Sequence, residues 1–324
     1  MQSHAEILAT IQTDLPKFPL IAIVGPTAVG KTTIAIGLAQ KFQGEIVSAD
    51  SRLFYRGMDI GTDKPTREQR QVVPHHLIDI ANPDEIWSLA LYQVSARHVI
   101  TDIHGRDRLP FLVGGTGQYI HAVIEGWSLP QVVPDPRLRR ILETWSDEIG
   151  REGLHARLAV LDPDAASSID LSNLRRTIRA LEVILTTGRP FSSQKKRQPP
   201  AYNLLVIGLI RPRSELYARI DARIDRMITD GLIDEVNQLL RQGYSPTLPT
   251  MSAIGYQEIV SYLQGKMPLK EAIAKIKRRT HMFVRRQANW FKLLDPRIHW
   301  FDLSLQTEGE IERLVYTFLK IGLR

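Results

Sequence analysis

Apolar positions along this chain gather into short runs separated by longer amphipathic stretches. Residues 19–24 (PLIAIV) are apolar, partly β-branched and run into glycine, which predicts a buried strand. A helix is expected next, with Ile34, Leu38 and Phe42 on one face. Residues 45–48 (EIVS) and 109–113 (LPFLV) predict two more strands, the first leading to Asp50 and the second to a Gly114-Gly115-Thr116-Gly117 turn. Residues 203–209 (NLLVIGL) read as a fourth. Strands that alternate with helices argue for an α/β fold, a parallel sheet wrapped by helices. In such sheets ligands collect beyond the carboxyl ends of the strands, where Asp50 and the glycine turn fall.

The texture changes near Pro130, Pro134 and Pro136. Residues 137–188 are helical and charged, and 194–200 (QKKRQPP) read as a basic, proline-ended linker. The expected organisation is a leader at 1–18, a first core segment at 19–132, a mostly helical insertion at 133–200, and a core return with C-terminal helices at 201–324. After Pro212 the pattern is mostly helical, punctuated by Gly231, Gly243, Gly255 and Gly265.

Composition narrows the chemistry. Lys+Arg is 42 against 35 Asp+Glu, a formal charge of +7, which favours a polyanionic partner. With no cysteine, neither a disulfide framework nor a Cys-ligated zinc site is possible. The first 18 residues hold Glu6 and Asp14 and no long apolar run, unlike a signal peptide. No stretch approaches the roughly 18–20 apolar residues of a membrane helix. A soluble, cytoplasmic protein is expected.

The strongest motif is Gly25-Pro26-Thr27-Ala28-Val29-Gly30-Lys31-Thr32, a full G-x-x-x-x-G-K-[ST] match between an expected strand and an expected helix. It makes the expected fold P-loop NTPase-like. Loop amides and the helix N-terminus cradle phosphate oxygens. Lys31 supplies a point charge, and the Thr32 hydroxyl can hold Mg²⁺. The motif points to a diphosphate or triphosphate and does not by itself specify ATP. The best later strand ends in Gly-Gly rather than in the acid that NTPases use to hold their metal. Asp50 can bind Mg²⁺ or act as a general base. It can equally be a helix cap or turn residue.

Residues 48–65 (SADSRLFYRGMDIGTDKP), taken with the phosphate loop, resemble the bacterial tRNA dimethylallyltransferase family. Further matches follow in order: PHHLIDI at 74–80, GGTGQYI at 114–120, RRTIRALEV at 175–183, LYARIDARIDRMITDGLIDEV at 216–236, AIGYQE at 253–258 and THMFVRRQANWF at 280–291. The resemblance spans about residues 20–291. It implies transfer of the allyl group of dimethylallyl diphosphate to N6 of adenosine-37, in the tRNA anticodon stem-loop. The phosphate loop would then hold the donor diphosphate with Mg²⁺. Asp50 matches the family's catalytic aspartate, and Arg223 matches an arginine near the diphosphate. Thr32 joins them as a catalytic candidate. Leu53 stands where many members carry Gln.

The resemblance also implies tRNA contacts at Asp50, Ser51, Arg52 and Leu53, at Thr116 and Gly117, and at Arg140, Arg175, Arg176 and Arg179 of the insertion. Residues 275–286 (KIKRRTHMFVRR) carry six bases and no acid. As a helix they place Arg278, Arg279 and Arg286 on one broad face suited to phosphates, followed by Gln287. Trp290 and Phe291 can stack on bases or pack in a core. No DNA or membrane partner is expected, and a monomer is. The competing readings are a P-loop small-molecule kinase and a non-catalytic RNA-binding protein.

Overall fold

The computed structural model describes residues 18–130, 132–194 and 202–321. Apart from Phe18, the leader lies outside the described residues, as does the basic linker beyond Gln194.

Six parallel strands form one sheet: β1 (Phe18–Val24), β2 (Gly44–Ser48), β3 (His75–His76), β4 (Leu109–Gly114), β5 (Tyr202–Ile210) and β6 (Ile298–Asp302), in the order β3-β2-β4-β1-β5-β6. Parallel strands covered on both faces read as unbroken apolar runs. Accordingly Leu20, Ile21, Ala22, Ile23 and Val24 are fully buried in the central strand. All four expected strands are present. The P-loop NTPase-like expectation fits this order, with the phosphate-loop strand β1 flanked by β4 and β5.

Helices α1 (Lys31–Lys41), α2 (Arg67–Val72), α3 (Leu89–His104) and α4 (Gly117–Ile124) precede the insertion. The buried face of α1 is Ile34, Ala35, Leu38 and Ala39; Phe42 is the C-cap, beyond the last helical turn. The insertion holds α5 (Pro136–Leu161), α6 (Pro163–Ser168) and α7 (Leu174–Thr187). After β5 come α8 (Arg213–Thr229), α9 (Leu232–Arg241), α10 (Tyr256–Leu263) and α11 (Leu269–Gln287), then β6 and α12 (Glu308–Ile321). β6 adds a strand to the region expected to be mostly helical. It has five residues, two of them His299 and Asp302, too few to show an alternation between long helical neighbours.

The chain divides into two compact units: the sheet with its helices, and a smaller unit of Ser88–Tyr92 with Glu125–Pro199. The smaller unit starts at Glu125 rather than 133. The prolines mark the approach to α5, whose N-cap Asp135 accepts from the amides of Arg137 and Leu138, whereas the chain leaves the sheet unit where α4 ends. α5 is broken at Gly150 (φ 76°). It packs with α6 and α7 around Leu142, Leu154, Leu158, Ile178, Leu181 and Val183.

A single carboxylate locks the smaller unit. Glu182 is fully buried. It receives Arg139 through two hydrogen bonds of 2.9 Å, Arg179 Nη1 at 2.6 Å and the Asp135 amide at 2.8 Å. Burial alone pushes a carboxyl upward, but these donors outweigh it and hold Glu182 below its ordinary range. Glu182→Gln leaves two guanidiniums without their carboxylate, but Arg139 and Arg179 keep partial access to water. The expected cost to this unit is that of the lost charge-assisted hydrogen bonds, about 1.5–3 kcal/mol. Hydrogen exchange of 136–187 against urea should show the loss there while β1 and β4 keep their protection. An unchanged midpoint in 136–187 would remove Glu182 from this role.

Candidate active site

The phosphate loop leaves β1 at Gly25, whose φ of 148° and close approach to β5 exclude a side chain; a Cβ there would lie 2.6 Å from the Leu209 carbonyl oxygen. Ala28 (φ 66°) and Gly30 (φ 115°) also take left-handed backbone, which coils the loop before α1 begins at Lys31. The loop's outward carbonyls are held from behind. Arg211 Nε donates to Val29 O, and Arg219 Nε to Ala28 O, each at 3.0 Å. Gln287 ties a third point: its Oε1 accepts from the Thr27 amide at 2.9 Å, and its Nε2 donates to Gly115 O at 3.0 Å.

Lys31 is half-buried. Its Nζ spans the loop, donating to Gly25 O at 3.0 Å and Pro26 O at 2.9 Å. Desolvation pushes this lysine down to about 8; Asp50 and Asp63 pull the other way, and Arg223 adds to the depression. The charges named by sequence reasoning thus share one neighbourhood.

They also share one cleft of about 810 Å³. Its walls include Thr27, Lys31, Thr32, Asp50, Leu53 and Arg223. Asp50 follows β2 in a turn in which its Oδ1 accepts from the Arg52 amide at 3.0 Å. One oxygen thus serves the turn, as the plain reading of Asp50 allowed, while the residue still faces the cleft. Arg223 Nη1 donates to Asp63 Oδ2 at 3.0 Å, and its buried Nε has no hydrogen-bond partner among the described residues. β4, the strand between β1 and β2, ends at Gly114 with no acid. Among the described residues no three His, Asp or Glu side chains form a metal-holding group, so a cation here would depend on Thr32, ligand oxygens and water.

The loop through 58–65 forms the far wall, and sequence reasoning missed what holds it. Glu235 of α9 accepts the consecutive amides of Asp59, Ile60 and Gly61 at 2.8, 2.7 and 3.1 Å, plus the Tyr256 hydroxyl at 2.6 Å. Buried Lys64 donates to Tyr55 O and to Asp79, and also pairs with Asp59. Lys64 gave one usable signal: a lone lysine among turn residues. Glu235, Tyr256 and Arg219 gave none beyond their place inside longer motifs, and Arg211 lies outside those motifs.

Expected RNA contacts separate into two kinds. Arg140, Arg175, Arg176, Arg278 and Arg286 are exposed, and Ser51, Arg52 and Thr116 are half-buried. Arg179 is spent on Glu182 and on Val132 O. Arg279 pairs with fully buried Glu258 and donates to Gln257 at 2.7 Å. Gln287 is 6% exposed with both ends of its amide engaged. Each of these three already satisfies a buried group, so its side chain is engaged within the fold. Gly117 is buried beneath Trp290, whose Cγ would lie 2.3 Å from a Cβ at that position. Trp290 is still 43% exposed while Phe291 is core at 7%, so the pair divides between the two readings.

Comparison with known proteins agrees with this geometry. The family model for IPP transferase matches residues 53–293. A tRNA dimethylallyltransferase of Roseiflexus sp. (strain RS-1) is 58% identical over 276 residues, 85% of this chain and 90% of that protein. One from Thermomicrobium roseum is 50% identical over 286 residues, 88% and 87% of the two chains. The structure of a full-length tRNA isopentenylpyrophosphate transferase from Bacillus halodurans aligns with a TM-score of 0.70 at 44% identity, covering 94% and 98%. A eukaryotic dimethylallyltransferase described as acting on tRNA aligns with a TM-score of 0.78 at 28% identity, covering 92% and 78%. The family model matches well over half of the chain, and the chain belongs to the IPP transferase family.

Proposed function

We propose that this enzyme transfers the dimethylallyl group of dimethylallyl diphosphate to N6 of adenosine-37 in the tRNA anticodon loop, releasing diphosphate. The observation that carries the reading is that the phosphate loop and Asp50 face one cleft, while the strand beside β1 ends in glycine. A kinase would need to place a γ-phosphate and its metal; nothing at the end of β4 serves that purpose. The family match favours the transferase as well.

The donor's diphosphate fits the cradle of 25–32, with Lys31 and Arg223 as its cationic clamps. Apolar Ile46, Leu53, Ile78 and Val113 on the cleft wall give the allyl tail a dry surface. The N6 lone pair attacks C1 as the C1–O bond breaks, and the N6 proton passes to Asp50. Charge that grows on the departing diphosphate meets the loop amides, Lys31 and Arg223, which are already oriented for it. Mg²⁺, held through the Thr32 hydroxyl and diphosphate oxygens, would add further stabilisation of that charge. The reaction must draw its base out of the anticodon loop. Exposed Arg140, Arg175, Arg176, Arg278 and Arg286 offer phosphate contacts to that loop and its stem.

The primary test is mass spectrometry of the anticodon loop after purified protein meets unmodified tRNA and donor, with ATP and small acceptors as the kinase control. N6-isopentenyladenosine is expected, and phosphorylated product in its absence would overturn the assignment. Asp50→Asn should keep tRNA binding and lower single-turnover transfer by about 10²-fold or more. An unaltered rate would end its role as base.

Lys31 carries a pH signature. A bound diphosphate restores the ammonium, so binding above pH 8 takes up a proton, and affinity should fall about tenfold per pH unit there. The unfolded chain also holds more protons than the native one between pH 8 and Lys31's ordinary value. This group therefore adds stability as pH rises through that window, opposite in sign to its effect on donor affinity. Calorimetry of a thiolo analogue of the donor at pH 9, in two buffers of different ionisation heat, should reveal the uptake. Lys31→Met should abolish it, and no uptake by the native protein would contradict the argument.

Arg278→Gln with Arg286→Gln should weaken tRNA binding and reduce the slope of log affinity against log salt by about one to two. Arg279→Gln should instead act mainly on stability, through Glu258. An unchanged salt slope in the double variant would remove this helix from the RNA surface.

A further inference from the structure

The cationic side of the cleft contains an acid that the transfer chemistry leaves unassigned. Asp63 sits in the loop held by Glu235, at a φ of 54°, and its Oδ2 receives Arg223 Nη1 at 3.0 Å. The two side chains differ in environment: Asp63 is 56% exposed and Arg223 is 16% exposed. Arg211 and Arg219 have their guanidinium Nε atoms fixed on loop carbonyls, whereas Arg223 has an unspent, buried Nε–H and an ion pair with one exposed carboxylate. Exposed partners of this kind hold weakly. Arg223 is thus the one guanidinium of the three able to change partner without uncovering a carbonyl.

We propose that Asp63 is a positioning residue that acts through Arg223: it keeps the guanidinium at the cleft and competes with diphosphate for it, which weakens the grip on the released product. This rests on the donor-diphosphate reading of the cleft. The geometry requires the competition. Asp63, Arg223, Lys31 and Thr32 all line the same cavity, so a dianionic or trianionic tail enters a space that already holds a carboxylate. Two responses meet the repulsion: Arg223 turns from Asp63 to the ligand, and Asp63 retreats toward solvent, where it is already half exposed. Neither disturbs the loop, because that loop hangs from Glu235 and Lys64 and not from the Asp63 side chain.

Asparagine tolerates the left-handed backbone as well as aspartate does and keeps the side chain's size while removing its charge. The test is calorimetric binding of inorganic diphosphate with Mg²⁺ to the full chain, as native protein, Asp63→Asn, Arg223→Gln and the double variant. Asp63→Asn is expected to bind diphosphate about three- to tenfold more tightly, with a matching fall in its inhibition constant against the donor. Arg223→Gln should bind more weakly, and Asp63→Asn should gain far less on that background, since part of its effect passes through the arginine. A merely structural aspartate would not produce tightening that depends on Arg223. Equal or weaker binding by Asp63→Asn, with native binding intact and Arg223→Gln impaired, overturns the inference alone. Native protein that binds no diphosphate overturns the donor-site reading and this inference together.

Discussion

A coil of backbone amides can grip an anion only when its carbonyls are satisfied on the other side. Here that demand is met by two arginines and one lysine, while one glutamine takes the Thr27 amide. Arg211 and Arg219 take Val29 O and Ala28 O, Lys31 spans Gly25 O and Pro26 O, and Gln287 fixes Thr27 to Gly115. Much of the site depends on this arrangement. Arg219 and Arg223 are four apart on α8, hence on the same face, so the residue that anchors the loop also delivers its neighbour to the cleft. Gln287 links the phosphate loop to the glycine turn after β4 through both ends of its amide.

The cleft also balances charge instead of simply accumulating positive groups. A half-buried lysine beside an arginine would lose its proton too readily; Asp50 and Asp63 each push the other way. Asp50 therefore acts on this cleft as a counter-charge that helps keep Lys31 an ammonium, whatever else it does at the cleft. A second nest of amides lies close by, at 59–61, but it is filled by Glu235 from within the fold. The nest at 25–32 lines the cleft instead. The same local geometry of stacked N–H groups thus serves structure in one loop and faces open space in the other.

Much of the fold was legible because parallel strands leave an unmistakable trace: short apolar runs ending in glycine or an acid. The phosphate loop was legible for a similar reason, since its glycines answer a backbone requirement that is purely local. Asp50 was visible only as a candidate, because an aspartate after a strand serves turns and catalysis equally, and here its Oδ1 does serve a turn. What escaped were long-range partnerships. Gln287 looked like part of a basic surface helix, yet its partners lie 260 and 172 residues away. Nothing in the local pattern around Glu235 tells that three amides of a distant loop converge on it. β6 escaped because a five-residue strand at a sheet edge need satisfy only one neighbour.

The same limit changes what the net charge of +7 means for RNA. Arg139 and Arg179 flank one buried carboxylate, and Arg279 covers another. Two arginines on one carboxylate keep a net charge of about +1, whereas Arg279 with Glu258 presents a nearly neutral pair to anything beyond a few ångströms. Counting bases along the sequence therefore overstates the field offered to a polyanion wherever such pairs form. Of the expected phosphate contacts, Arg140, Arg175 and Arg176 in the insertion and Arg278 and Arg286 on α11 are exposed. Phosphate contacts position an RNA without reading its bases, and each adds both affinity and salt dependence. An enzyme that must let its modified product go is served by contacts of this kind, whose strength falls with salt and does not depend on the base that has been changed.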